Sequence, residues 1–373
     1  MYGTPYTSRC IAPVASAPPP PTEDDDATSS QSPSSSSSSS FLVGTTALRE
    51  ENEIHLIAVP GEDAGEIVCR ATYPHKDEVW DLAPCPAHAS TFFTVHNAAQ
   101  SAGTFEATLW RAPETGVDGA LEPLFSTAGR HPGVRHVAWS PGASDASVVM
   151  ASRDRIALWN LSEGRGEGTV AASTAAGDVA NVNAIAWSAA DPGLLCAASG
   201  GALALIDARD MSRKALAIPD AHEMAARSCD FSRTDGTLLA SGGDDCCLCV
   251  WDLRRPDGKS PLVRAPAHSH WVWQAKFNPF HDALIATASS DSLVRLWNTM
   301  PDDNDDDGEG GDGSGAPPIA SKLTPETYDE HEDSVYGVAW SLADPWTFLS
   351  LSYDGRVMRN TVQSTIKYKI LLP

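Results

Sequence analysis

Positive charge is scarce in this chain of 373 residues: 26 lysines and arginines face 49 aspartates and glutamates, a formal net charge of −23. That balance argues against nucleic acid or anionic lipid as the main partner, because both demand a basic footprint. Long apolar runs are missing too. No window of about 18 apolar residues exists for a membrane span, and the opening "MYGTPYTSRCIAPVAS" has no apolar run behind a basic region, so it does not read as a secretory signal. A cytoplasmic protein without direct membrane insertion is expected. The eight cysteines are too sparse for a disulfide scaffold and are expected to be reduced. No segment of helical length carries a 3.6-residue apolar period.

Two segments have too little apolar surface to offset chain ordering and are expected to be disordered. One spans residues 15–40 and contains "APPPPTEDDDATSSQSPSSSSSSS" at 17–40; the other, residues 301–318, is "PDDNDDDGEGGDGSGAPP". Glu23 to Asp26 and Asp302 to Asp312 concentrate negative charge in them. Elsewhere the chain breaks into short alternating apolar runs such as "NEIHLIAV", "VRHVAWS" and "IATASSDSLVRLW", punctuated by Gly, Pro, Asp and Asn. That pattern predicts strands and tight turns, an all-β chain.

Self-similarity organises those strands. "HPGVRHVAWS", "HEMAARSCDFS", "HSHWVWQAKFN" and "HEDSVYGVAWS" begin at His131, His222, His268 and His331, and an aspartate follows each by 23 residues: Asp154, Asp245, Asp291 and Asp354. Trp159, Trp251 and Trp297 come five or six residues later, with Asn360 in the last unit. Weaker units start near Asn181 and His75. The pattern resembles the WD40 repeat family, whose unit folds as one four-stranded propeller blade. The resemblance implies that these histidines, aspartates and tryptophans form a buried structural network repeated from blade to blade.

Six units plus an N-terminal set, "YGTPYTSRCI", "FLVGT", "NEIHLIAV" and "EIVCRATY", make a seven-bladed propeller over residues 1–373, one domain with two insertions and a monomer in expectation. The tail "STIKYKILLP" is predicted to supply a late strand. How the ring closes is left open, because "YGTPYTSRCI" carries a proline and makes a poor strand.

Apparent chemical motifs do not survive inspection of their surroundings. In "SGGDDCCLCVWDLR", alternation sends Cys247, Cys249 and Trp251 to one face of a strand and Cys246, Leu248 and Val250 to the other, so four thiolates cannot converge on zinc. "GEGGDG" matches a dinucleotide fingerprint without the strand and helix that make it work. "DNDDDG" from Asp303 imitates an EF-hand loop, but its twelfth position is Ser314. A catalytic constellation is needed once, whereas the His–Asp spacing recurs in four units. No catalytic residue, cofactor or metal is assigned, and the chain is expected to be no enzyme.

What remains for function is the propeller rim, where binding hot spots favour Trp, Tyr and Arg. "HSHWVWQ" offers His270, Trp271 and Trp273; "HEDSVYGVAWSLADPW" and "SYDGR" offer Tyr336, Trp346, Tyr353 and Arg356. Trp273 and Trp340 are expected in the core, with Trp271 and Tyr353 exposed at the rim.

"FLVGTTAL", "HSHWVW", "SSDS", "EHEDSVYGVAWSLADPW", "SLSYDGR" and "KYKILL" narrow the match, most strongly over the last three blades. They resemble the family of propellers that interact with the endosome-associated recycling and Golgi-associated retrograde tethering complexes, EARP and GARP. The resemblance implies a noncatalytic adaptor in endosomal recycling and endosome-to-Golgi transport, peripheral to the trans-Golgi network and endosomes through tether subunits. A rival reading starts from "LCVWDLR": Trp251, Asp252 and Arg254 resemble the WDxR box of cullin-4 ubiquitin ligase substrate receptors, which contact the ligase adaptor there.

Overall fold

The computed structural model describes residues 1–15, 38–48, 51–61, 66–98, 104–113, 118–141, 147–162, 167–174, 179–212, 216–255, 260–299 and 323–372. Seven four-stranded antiparallel sheets form a seven-bladed β-propeller. Blade 1 contains β2 (Ser8–Val14), β3 (Ser39–Thr45), β4 (Asn52–Val59) and β5 (Val68–His75). Blade 2 contains β6 (Glu78–Pro84), β7 (Thr91–Ala98), β8 (Thr104–Arg111) and β9 (Glu122–Ser126). Blade 3 runs β10 (Val134–Trp139), β11 (Ser147–Ser152), β12 (Ile156–Ser162) and β13 (Glu167–Ser173).

Blade 4 runs β14 (Val182–Trp187), β15 (Leu194–Ser199), β16 (Ala202–Asp207) and β17 (Leu216–Ile218). Blade 5 is β18 (Ala226–Phe231), β19 (Leu238–Gly243), β20 (Cys247–Asp252) and β21 (Val263–Pro266). Blade 6 is β22 (Val272–Phe277), β23 (Leu284–Ser289), β24 (Val294–Asn298) and β25 (Glu326–Tyr328).

Blade 7 takes three strands from the end of the chain, β26 (Val335–Trp340), β27 (Thr347–Ser352) and β28 (Arg356–Thr361), and its fourth, β1 (Tyr2–Gly3), from the beginning. "YGTPYTSRCI" is therefore split between two blades, with Pro5 between the strands, and the ring closes where Tyr2 pairs with Val357 and Gly3 with Arg356. Gly355 permits this closure. Its φ is +83°, and a Cβ there would lie 2.5 Å from the carbonyl oxygen of Tyr6.

Because β1 occupies the outer edge of blade 7, the tail has no sheet edge to join. It forms α1 (Ser364–Leu371), correcting the expected strand. Ile366 and Ile370, one helical turn apart, pack with Trp346 against the last interblade core. A second correction concerns residues 15–40: Ser39 and Ser40 already belong to β3, where β4 supplies backbone partners and the Ser39 hydroxyl is buried against that of Ser341. Residues 16–37 and the whole of 301–318 lie outside the described residues.

Every blade is sandwiched between two others, so both faces of its sheet are apolar. Seven clusters fill the seven interblade spaces. In β20, Cys249 and Trp251 enter the core shared with blade 4, while Leu248 and Val250 enter the core shared with blade 6. The alternation read from "CCLCVWD" holds for the strand; Cys246, with φ +63°, sits in the turn before it. Burial pushes the Cys249 thiol up to about 12, so it behaves as a small core hydrophobe.

Candidate functional site: a propeller rim and channel mouth

Call the strands of a blade a to d from the axis outwards. Antiparallel succession then places every d–a loop and b–c turn at one end of the ring, and every a–b and c–d turn at the other. The first end holds the repeated polar network.

In blade 5, His222 Nδ1 lies 2.8 Å from Asp245 Oδ1, its Nε2 lies 2.8 Å from Ser241 Oγ, and Trp251 Nε1 donates to that hydroxyl at 3.0 Å. A carboxylate can only accept. The imidazole therefore donates through Nδ1, the serine donates to Nε2, and the indole donates to the serine. Blade 6 repeats the chain with Asp291 (3.1 Å), His268, Thr287 (2.8 Å) and Trp297 (3.0 Å). Burial alone would raise the Asp291 pKa, but the bonds from His268 and the Ser269 amide hold it well below the usual carboxylate range. Asp245 is lowered in the same way by His222.

The other two units depart from expectation. In blade 3 no hydrogen bond joins His131 to Asp154; His131 Nε2 and Trp159 Nε1 are both buried without a partner. Met150 stands nineteen residues after His131, where the complete blades carry Ser241 and Thr287, so the hydroxyl that links ring to ring is absent. In blade 7, His331 reaches Ser350 (2.7 Å) and Asn360 replaces the indole (2.9 Å to the same hydroxyl), but His331 Nδ1 is orphaned. Asp354 is engaged instead by the Ser352 hydroxyl and by Arg356, whose Nε lies 3.3 Å away. Burial lowers the His331 pKa to about 4. Conversely, the degenerate unit of blade 2 keeps part of the chain, with His75 Nε2 at 3.3 Å from Thr94 and Trp110 donating to Thr94 at 2.9 Å.

The innermost strand of each blade carries a β-bulge at an equivalent place, falling on Arg9, Trp80, Arg135, Asn183, Arg227, Trp273 and Tyr336 in turn. A bulge re-aims one side chain, and here all seven line the mouth of a central channel of about 640 Å³ at the d–a end. Arg9 lies 4.6 Å from the Trp80 ring and 4.2 Å from the Tyr336 ring. Tyr336 meets Trp273 at 4.9 Å and Tyr353 at 5.8 Å; Trp273 meets Trp271 at 5.9 Å, and His270 flanks Trp271 at 5.0 Å. Arg227 approaches Trp273 at 5.4 Å while its guanidinium is forked onto Asp244 at 2.7 and 2.6 Å.

The structure thus brings His270, Trp271, Tyr336 and Tyr353 into one continuous cluster. Trp271 is 38% and Tyr353 40% exposed. Arg356 lies beside it, paired with Glu332 at 3.0 Å. Trp340 is core, but Trp273 is not: the bulge turns it from the sheet face into the channel, correcting its expected burial. Trp346 belongs to the opposite end, stacked on His281 at 4.8 Å. Arg9, Trp80 and Arg227 were missed because they sit in different units; their shared position, one or two residues past the start of each first strand, was the available signal.

Trp251, Asp252 and Arg254 finish β20 at the c–d end. Asp252 takes the Arg254 amide (3.0 Å) and both sides of its guanidinium (3.0 and 3.1 Å), with Arg254 65% exposed.

A family model described as EIPR1 beta-propeller matches residues 1–297, and a WD domain, G-beta repeat model matches residues 324–358. The human protein named EARP and GARP complex-interacting protein 1 is 32% identical over 367 residues, covering 89% of this chain and 92% of its own length. EARP-interacting protein 1 of Caenorhabditis elegans is 30% identical with the same coverages. WD repeat-containing protein DWA2 of Arabidopsis thaliana is 31% identical over 97% of this chain and 96% of its own length.

Proposed function

Because the chain belongs to the EIPR1 beta-propeller family, we propose that it is a noncatalytic adaptor that binds the EARP and GARP complexes through the end carrying its d–a loops and b–c turns. In this role it supports endosomal recycling and endosome-to-Golgi retrograde transport, as a cytoplasmic monomer brought to endosomes and the trans-Golgi network by its partners.

The names of the relatives support the partner. The observation that carries the location is the cluster of exposed Trp271 and Tyr353 on a fixed aromatic base, the kind of anchor that dominates protein interfaces. Replacing Trp271 and Tyr353 together by alanine should lower recovery of tether subunits in pull-downs with an unchanged melting temperature. Undiminished recovery refutes the location.

The cullin-4 reading rests on Trp251, Asp252 and Arg254. The closed fork between Asp252 and Arg254 weighs against an arginine available to a ligase adaptor. Co-purification separates the two readings, tether subunits supporting one and the cullin-4 adaptor the other.

A further inference from the structure

We infer that the channel mouth captures an acidic peptide segment of a tether subunit, with Arg9 receiving its carboxylate; the source of the peptide rests on the reading above. The central fact is that the Arg9 guanidinium has neither hydrogen-bond acceptor nor ion partner among the described residues. It lies among the rings of Tyr336 (4.2 Å), Trp80 (4.6 Å) and Trp273 (5.8 Å). Rings offer no carboxylate or carbonyl acceptor, so the N–H donors of the guanidinium remain free to fork onto a carboxylate.

The acids nearby are already engaged. Asp230 holds Lys276 at 3.2 Å and the Phe277 amide at 2.9 Å, Asp244 holds Arg227, and Asp81 faces His136 at 3.3 Å. Around the channel, Arg9, Arg135, Arg227, Arg233 and Lys276 stand against Asp81 and Asp230. A cationic channel inside a chain of net charge −23 focuses an attractive field on its own mouth. Repulsion from surface acids more than about 8 Å away is screened at physiological salt.

The neighbours decide the class of anion. A phosphate cluster needs several free convergent cations, whereas Arg227 and Lys276 are already paired with Asp244 and Asp230, and Arg9 is ringed by aromatics and borders the exposed Trp271–Tyr353 surface. A planar carboxylate followed by an apolar side chain satisfies both features. The occupant is therefore an extended segment with Asp or Glu beside an aromatic or aliphatic residue.

The test uses the full chain against tiled peptides from EARP and GARP subunits, the intact complexes, and vesicles containing phosphoinositides. Wild-type protein should retain peptides of that composition, with binding that weakens as salt rises. Changing the peptide's acid to its amide should weaken binding about tenfold or more. Arg9→Gln should match that loss, and Arg9→Lys, which keeps charge without the fork, should restore only part. The amide peptides keep the test valid even if an Arg9 variant folds poorly.

Equal binding of acid and amide peptides overturns the proposal, as does full binding by a folded Arg9→Gln protein or capture of vesicles in place of peptides. Intact complexes retained equally by wild type and Arg9→Gln would leave the tether reading standing and remove Arg9 from it. Wild-type protein that retains no complex overturns the tether reading itself, and the peptide series then judges Arg9 alone.

Discussion

The two ends of the ring spend the same residue types differently. At the d–a end, acids point inward: Asp245 and Asp291 are nearly buried and hold histidines, which hold hydroxyls, which hold indoles. Loops tied down from beneath can carry exposed aromatics in fixed positions. At the c–d end, acids close on their own turns. Asp252 binds Arg254, Asp235 takes the Thr237 amide (3.0 Å) and hydroxyl (2.6 Å), and Asp191 takes the Gly193 amide at 2.9 Å. Local pairs of that sort finish strands and are worth little individually. The difference teaches that a frequent WD dipeptide marks the end of a strand, while the distant His–Asp partnership marks the platform.

The largest effect should come from breaking the platform. Thr287→Val keeps the side chain's shape and removes the hydroxyl that joins His268 to Trp297, creating in blade 6 the two orphaned nitrogens that blade 3 already has at His131 and Trp159. Each buried orphan costs about 1–3 kcal/mol, so a loss of about 2–6 kcal/mol is expected in urea unfolding. A loss below about 0.5 kcal/mol would show that the network is ornamental.

Second comes the platform's surface. Trp271→Ala with Tyr353→Ala leaves every bond of the network in place, and recovery of tether complexes should fall about tenfold or more, measured by titrated pull-down. If stability fell with it, the two layers of this end would not be separable.

That layering shows what sequence could and could not supply. The pairs His222–Asp245 and His268–Asp291 were legible because a fixed interval repeated them, and the blade number because two weaker units and an N-terminal strand set completed the four that carry it. The same interval misled at His131 and His331, since spacing places two side chains near one another but does not decide which partner the acid takes. Asp154 accepts from the Ser152 hydroxyl (3.3 Å) in one unit, Ser352 and Arg356 divert Asp354 in the other, and Met150 separately removes the hydroxyl between His131 and Trp159. The hydroxyl itself was legible in principle: Thr94, Ser241, Thr287 and Ser350 all follow a histidine by nineteen residues. The channel mouth was hidden for a different reason. A bulge re-aims a residue without changing the apolar alternation around it, so Trp273 looks like any core tryptophan. Ring closure depended on Tyr2 meeting Val357, a contact that no local pattern encodes.

A smaller effect separates complete from incomplete units by pH. His331 is held neutral, with a pKa near 4 against an ordinary 6.5, because it is buried. As pH falls from about 6.5 towards 4, the unfolded chain takes up a proton that the native chain refuses, so stability is lost on acidification across that window. Asp291 and Asp245 act lower on the scale, since their depressed values preserve stability until pH drops below the ordinary carboxylate range. His331→Gln should flatten the melting-temperature slope between pH 6.5 and 4 and leave the acid limb below it. An unchanged slope would assign it elsewhere, His96 being the other histidine that burial lowers to about 4.

The smallest effect is expected at the opposite end, and its smallness is informative. Arg254 is largely solvated and contacts Asp252, two residues behind it, with Asp235 at 4.0 Å. Arg254→Ala removes a local fork from a turn whose backbone bond, Arg255 to Asp252, persists. Melting temperature and tether recovery should both stay at wild-type levels, because among the described residues the Arg254 side chain pairs only with Asp252 and Asp235 at its own end of the ring. Recovery of the cullin-4 adaptor with the wild-type chain, and its loss with Arg254→Ala, would show that this end is a second interface and that the fork opens on binding. Tether recovery that falls with Arg254→Ala would move the tether interface from the aromatic end to this one.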